Sequence, residues 1–450
     1  MTRPDGGFSA LFTDLYELTM ADSYLRRGMR ESATFSLYVR ELPMHRGFLV
    51  AAGVEDCLDA LQNLAFHTDD LEYVGSQLGP DAAHRLAGLR FTGDVIAVPE
   101  GSVVLADEPI LEVTAPLPEA QLVETMLLNL VTYQTAIATK AARCRIAAPD
   151  IELVDFSARR TQGVEAACAV ARVTAMVGFV ATSNVAAARR YGLHVTGTMA
   201  HSYIEAFDSE AQSFRAFAED FPDRATFLVD TYDVRDGVRN AIRVIQGTGV
   251  QEPVAVRIDS GDLVQGSRAA RALLDDAGLA GVKIVVSGGL DEYGLEELVR
   301  AGAPVDIAGV GTRVGVSADA PALDSVYKLV AYAGRPVLKV SEGKATLPAS
   351  KQVFRSGAMD ADVIALRDEP APAGARPLLL DMMHAGARVH ERPPIEASRA
   401  VFDSDVALIP APARELRCTV PPRARLSAPL AALTDELATR ALPVRRRESD

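Results

Sequence analysis

Between residues 151 and 312 the chain alternates short apolar runs with helical stretches at a nearly constant spacing, and this rhythm restricts the fold more than any other feature. The runs IELVDF (151–156), HVTG (194–197), ATFLVD (225–230), PVAVRID (253–259), VKIVVSGG (282–289) and PVDIAGVGT (304–312) read as strands. Helical patterns occupy 162–192, 202–220, 234–246, 263–277 and 291–302. Strand and helix alternating at this period imply parallel strands joined by crossover helices. Six strands at similar spacing point to an irregular α/β barrel rather than an open sheet.

The flanks read differently. Residues 91–116 alternate apolar and turn residues, punctuated by Pro99, Gly101 and Pro109, and read as a small β meander. In 119–148, Leu122, Met126, Asn129, Tyr133 and Ile137 recur at helical spacing with no Gly or Pro between them. After about residue 345 the rhythm dissolves into Pro- and Arg-rich sequence, and the final PVRRRESD reads as a frayed tail. A chain of 450 residues allows about three domains. The expected division is an N-terminal α+β lobe (1–135), an α/β barrel (136–345) and a C-terminal appended lobe (346–450).

Charge narrows the partners. With 46 Lys and Arg against 60 Asp and Glu, the formal net charge is −14. That balance is wrong for a general binder of nucleic acid, whose phosphates need excess positive charge. It is equally wrong for an anionic membrane surface. A small anionic substrate stays possible if a local group of arginines reverses the field inside a cleft. Cys57, Cys144, Cys168 and Cys418 make no CxxC pair and no zinc spacing, so they read as reduced core thiols. With no leader-like or membrane-spanning run, the expectation is a soluble, cytoplasmic protein.

The polar and glycine motifs of the middle region all fall just past a strand: DFSARR (155–160), TGTMAHS (196–202), DTYD (230–233), RIDSGD (257–262), SGGLDE (287–292) and GVGTR (309–313). In an α/β barrel, the loops after the strands gather at one face, where active sites form. Arg159, Arg160 and Arg257 stand at strand ends, where a guanidinium fork binds carboxylate or phosphate; each reads alternatively as a surface ion pair. SGGLD and GVGT read as glycine turns that let a phosphate approach the backbone, or as tight loops without a ligand. Asp259 and Asp262 supply hard oxygens that suit Mg²⁺, while Asp262 reads equally well as a helix N-cap. Of seven histidines only His201 lies in such a motif, where an imidazole serves as general base or as nucleophile toward phosphorus. Tyr16 reads as core packing or as an aromatic plate for a flat ring. No GxSxG, HExxH or GxxxxGK[ST] occurs, so ATP use could not rest on a Walker A loop.

At these residues the chain resembles the nicotinate phosphoribosyltransferase family. TDLYELTM, PEG…EP…EAQLVETMLLN, DFSARRTQG, GTMAHSYIEAF, LVDTYD, VRIDSGDL, VSGGLDE and GVGTR occur in the family's order, followed by KQVFR (351–355). The resemblance implies transfer of a phosphoribosyl group from 5-phosphoribosyl-1-pyrophosphate to nicotinate, giving nicotinate mononucleotide and pyrophosphate, coupled to ATP hydrolysis and assisted by Mg²⁺. By the same resemblance His201 is the histidine that ATP phosphorylates, and Tyr16, Thr198 and Arg257 match nicotinate-site positions. Phe156 forms one face for the pyridine ring and Tyr16 the other, reaching in from the partner of a homodimer with a shared active site. Gly288, Gly289, Gly309, Gly311 and Thr312 hold the sugar 5-phosphate. Arg159 and Arg160 face phosphates, and Asp259 faces the ribose hydroxyls or, with Asp262, Mg²⁺.

One residue departs from the pattern: Ser157 stands in DFSARR where the family often has Gly, and a side chain there is expected to narrow the approach to the ring or phosphate. Three other readings compete. The same transfer could use nicotinamide or quinolinate as acceptor, although quinolinate enzymes are shorter and lack the GT-x-AH histidine. A non-catalytic, nucleotide-binding regulatory paralogue is opposed by the intact His201, Arg257 and Asp259. Aldolase- or isomerase-type phosphate barrels usually need a buried Lys or Glu at a strand end, where this chain has Arg, Asp and His.

Overall fold

The computed structural model describes residues 9–248, 250, 254–339 and 346–447, with side chains to Arg440. The chain forms two compact units: Met1–Ala136 joined by Ala322–Asp450, and Ile137–Pro321. The boundaries therefore differ from a division at 136, 345 and 346. Residues from 322 onward group with the N-terminal part. The boundary at 345/346 itself falls at the edge of the described residues.

Strand pairing explains why the two ends of the chain belong together. A seven-stranded antiparallel sheet runs in the order Arg335–Pro336, Ser325–Tyr332, Ser32–Val39, Pro109–Pro116, Asp94–Ala97, Leu380–His384, Ala387–Arg388. The expected meander supplies two of these strands, and late-chain strands extend the sheet on both sides. A buried carboxylate draws in the KQVFR segment: Glu112 accepts from Lys351 Nζ at 3.1 Å and Arg367 Nη2 at 2.5 Å, and also from Ser36. Arg355, fully buried, is held by Asp362 at 2.6 Å and Asp405 at 2.9 Å. Removing one member of such a set would strand a charge away from water, which costs far more than an exposed pair.

The long helical pattern at 119–148 splits into Leu117–Leu122 and Glu124–Ala147. The break frees backbone N–H groups, and the buried Glu17 carboxylate accepts from Thr125 N at 3.0 Å and Thr125 Oγ1 at 2.6 Å. Thr13 holds the preceding turn by donating to Leu122 O at 3.1 Å. Two residues of TDLYELTM thus serve as a cap supplied from elsewhere in the chain.

The second unit holds six strands: β1 (Glu152–Asp155), β2 (Ala181–Thr182), β3 (Thr226–Leu228), β4 (Ala255–Ile258), β5 (Lys283–Val286) and β6 (Ile307–Val310). Their order is β2-β1-β6-β5-β4-β3 and every pair is parallel. The class is α/β with a parallel sheet, as the alternation implies. The ring is not closed by strand pairing among the described residues: the edge strands have only two and three residues and offer few groups for a further ladder. HVTG contributes a single parallel bridge, Val195 to Thr182.

Helices α1 (Val164–Met176), α2 (Val185–Tyr191), α3 (His201–Glu205), α4 (Glu210–Asp220), α5 (Val234–Gly247), α6 (Leu263–Asp276), α7 (Glu292–Arg300) and α8 (Thr312–Gly315) fill the connections. The stretch 162–192 is not one helix but helix, strand and helix. Asn184 restarts the second helix by accepting from Ala187 N at 3.1 Å. Beneath the start of α7, buried Glu292 is paired with Lys140 at 2.6 Å and Arg143 at 3.0 Å, which anchors the SGGLDE turn. No helix among the described residues is long and apolar enough to cross a membrane. The four cysteines are buried free thiols.

One buried acid makes stability depend on pH. Burial, and then the charge of Asp362, push the Glu108 carboxyl up to about 8. The fold therefore favours its protonated form, and this stabilisation is complete below the ordinary carboxylate range and lost as pH rises toward 8. Glu108→Gln keeps an acceptor for Leu105 N but cannot ionise. Its Tm is expected to match wild type near pH 5 and to exceed it by about 2 °C or more at pH 9, measured by thermal denaturation across pH.

Candidate active site at the strand ends

Because all six strands are parallel, their C-terminal ends lie along one edge of the sheet. The first residue past each of four strands is Phe156 (β1), Asp259 (β4), Ser287 (β5) and Gly311 (β6). Arg257, on β4, joins three of these positions to the TGTMAHS segment. Its Nη2 donates to Asp259 Oδ1 at 2.6 Å, its Nε to Ser287 Oγ at 2.9 Å and its Nη1 to Thr198 Oγ1 at 2.8 Å. The guanidinium carbon lies 5.6 Å from the centre of the Phe156 ring. Ser287 completes a closed circuit by donating to Asp259 Oδ1 at 2.5 Å. Hydrogen bonds to three side chains and an aromatic face fix the plane of an Arg side chain that remains 12% exposed.

The carboxylate opposite is held ionised. Burial acts to raise the Asp259 pKa, but the Ser287 hydroxyl and the Arg257 charge more than offset it and keep the carboxyl below its usual range. Asp230, from DTYD, supports the same loop by accepting from Asp259 N at 3.0 Å and Ser260 Oγ at 2.6 Å. Its other oxygen, Oδ1, is buried and has no hydrogen-bond partner. His201 begins α3, with Nδ1 3.1 Å from Thr231 Oγ1. An electrostatic interaction links its ring to the Asp259 carboxylate.

The glycines surround these groups. Gly309 sits beneath Phe156, and a Cβ there would come within 2.4 Å of the ring, so only glycine lets the aromatic face lie where it does. Gly288 and Gly289 take φ of +99° and +66° in the turn after β5. Gly311 precedes Thr312, the first residue of α8. Arg159 and Arg160 are exposed in the loop after β1, with no side-chain partner among the described residues.

The structure places three further residues. Asp262 caps α6, its Oδ1 accepting from Gln265 N at 3.0 Å, so one of its two oxygens is already committed. Tyr16 belongs to the other unit, where burial and the carboxylates of Glu124 and Glu17 raise its pKa. Ser157 does not narrow a ligand site. It is fully buried and donates through Oγ (2.6 Å) and N (2.9 Å) to Asp155 Oδ1, while Thr182 Oγ1 donates to Asp155 Oδ2 at 2.7 Å.

Sequence reasoning missed Ser287, Thr231 and Asp230, although their motifs were in view. The glycines dominate SGGLDE, and nothing in the local pattern of DTYD marks its acid or its hydroxyl as part of a site. The usable signal was position: a polar residue immediately past a parallel strand points along the same edge as its neighbours.

Comparison with known proteins agrees with this geometry. Residues 11–132 match the model of the nicotinate phosphoribosyltransferase N-terminal domain, and residues 151–346 match that of the nicotinate phosphoribosyltransferase family. A nicotinate phosphoribosyltransferase of Mycobacterium tuberculosis is 44% identical over 417 residues, covering 91% of this chain and 89% of the relative. That of Bacillus subtilis is 43% identical over 376 residues, covering 80% and 76%. The crystal structure of human nicotinic acid phosphoribosyltransferase superposes with a TM-score of 0.81 at 32% identity, over 94% of this chain and 99% of that one.

The buried role of Ser157 is open to direct measurement. Ser157→Ala leaves Asp155 with one fewer donor and is expected to lower the free energy of urea unfolding by about 1–3 kcal/mol. An unchanged midpoint would mean that the hydroxyl contributes nothing to holding that carboxylate.

Proposed function

The chain belongs to the nicotinate phosphoribosyltransferase family, and on that premise we propose how the strand-end site performs the family's reaction. The observation that carries the reading is the guanidinium of Arg257, fixed beside the Phe156 ring by Asp259, Ser287 and Thr198. A planar aromatic acid needs an apolar face for its ring and a cation for its carboxylate, and both stand here side by side. Phe156 takes one face of the pyridine, Arg257 with Thr198 takes the carboxylate, and Tyr16 of the partner subunit in a homodimer takes the other face.

The transfer itself asks little proton chemistry of the protein. The pyridine nitrogen already has its lone pair, so the site aligns it with the anomeric carbon of 5-phosphoribosyl-1-pyrophosphate. As the C–O bond to pyrophosphate breaks, positive charge builds on the ribose ring, and the ionised Asp259 is placed to offset it. Negative charge builds on the leaving pyrophosphate, and the exposed Arg159 and Arg160 are free to meet it. The turns at Gly288–Gly289 and Gly309–Thr312 hold the 5-phosphate.

The donor set also fits Mg²⁺, which takes one or two carboxylates and completes its shell with water and substrate oxygens. Asp259 and the unpartnered Oδ1 of Asp230 are the oxygens that would hold it, in preference to the capping Asp262. When bound, the ion neutralises pyrophosphate charge. His201 takes a phosphoryl group from ATP, and the added charge of about −1.5 to −2 reorders the phosphate loops and tightens substrate binding. The reaction takes place in the cytoplasm.

Pyrophosphate release, assayed with nicotinate and nicotinamide separately and with or without ATP, tests the whole reading. Release is expected with nicotinate, stimulated by ATP, and not with nicotinamide; no release with nicotinate would overturn it. His201→Ala is expected to lose ATP hydrolysis and ATP stimulation while keeping slow transfer, and an intact ATP effect in that variant would remove the phosphohistidine. The shared site has its own test. Tyr16→Ala and His201→Ala proteins, unfolded together and refolded as mixed dimers, are expected to recover about a quarter of wild-type ATP-stimulated activity. No gain over the separate proteins would place both residues in the same subunit's site.

A further inference from the structure

The two nitrogens of the His201 ring are not equivalent. Nδ1 faces Thr231 Oγ1 at 3.1 Å, and no hydrogen bond from Nε2 to any described residue is present. Thr231 stands three residues past the end of β3, so the parallel sheet itself brings its hydroxyl to the histidine. We propose that Thr231 is a positioning residue that makes Nε2 of His201 the atom that receives a phosphoryl group from a nucleoside triphosphate. The proposal rests on His201 being phosphorylated, and it adds which atom is used and what selects it.

The in-plane direction of Nδ1 is filled by the threonine hydroxyl, which leaves no path for a γ-phosphate along it. A neutral imidazole has one nitrogen with a proton and one with a lone pair, and the hydrogen bond at one nitrogen sets the role of the other. With Nδ1–H donating to Thr231 Oγ1, the lone pair is on Nε2. In the transfer, that lone pair forms the N–P bond. The bond from the γ-phosphorus to the oxygen bridging to the β-phosphate breaks, and the nucleoside diphosphate leaves with its electron pair. The Nδ1 proton stays on the ring, hydrogen-bonded to Thr231 Oγ1. A positively charged ring and the Asp259 carboxylate favour each other's ionised forms, so the charge the ring acquires is offset. A hydroxyl suits this task because it accepts the ring proton without removing it, as a carboxylate could.

Phosphorus NMR of protein treated with ATP and Mg²⁺ and quenched in alkali distinguishes phosphate on Nε2 from phosphate on Nδ1. Wild type is expected to show the Nε2 isomer alone. Thr231→Val keeps the shape but removes the acceptor; it is expected to label roughly tenfold to a hundredfold more slowly and to yield both isomers. Thr231→Ser is expected to restore the rate and the single isomer. The Nδ1 isomer in wild type, or an unchanged rate and isomer in Thr231→Val, would overturn the proposal. Nitrogen-15 spectra of the unphosphorylated wild type provide a check that needs no variant to fold: the His201 ring is expected as the Nδ1–H tautomer, and the Nε2–H tautomer would refute it. Wild type that takes no label at His201 would instead overturn the phosphohistidine, and this proposal with it.

Discussion

The closed circuit of Arg257, Asp259 and Ser287 is the interaction on which the site depends. A guanidinium has donors in a fixed plane, and a carboxylate and a hydroxyl from adjacent strands capture two of them. Each member would be costly alone: the Arg as a loosely held charge, the Asp as a carboxyl that burial would neutralise, the Ser as a buried hydroxyl with no partner. Together they leave Arg257 rigid beside Phe156 and Asp259 ionised. Rigidity of this kind matters for a reaction whose main demand is alignment.

The parallel sheet is what makes the circuit possible. Residues 30 apart in sequence, such as Arg257 and Ser287, meet because β4 and β5 are neighbours and end together. The rhythm of strands and helices announced this arrangement, and the edge location of Phe156, Arg257 and Asp259 followed from it. The closure of the ring did not follow, because strand count says nothing about whether edge strands are long enough to pair. The grouping of the chain's two ends was illegible for a related reason. It depends on Glu112 pairing with Lys351 and on Arg355 donating to Val103 O, both more than 200 residues away, and no local pattern encodes such pairings. Ser157 shows the opposite failure: the family pattern drew attention to it as a ligand-facing residue, whereas its neighbour in space is Asp155.

The net charge of −14 and the anionic substrates of the proposed reaction are compatible because charge acts over short distances in water. Several acids are spent inside the protein. Glu112, Asp362 and Asp405 neutralise buried Lys and Arg, while Asp155 is held by hydroxyls. At the strand ends the balance reverses, since Arg159 and Arg160 have no acidic partner among the described residues and Arg257 shares Asp259 with a hydroxyl.

The packing around Ser157 also constrains how this sequence can change. A Cβ on Gly315 would stand 2.5 Å from the Cβ of Ser157 and 2.7 Å from Thr161 Oγ1, so the two side chains together leave room only for glycine at 315. A side chain at 315 would therefore displace the hydroxyl that holds Asp155, so the short helix after β6 and the buried acid that ends β1 are locked into one another's geometry.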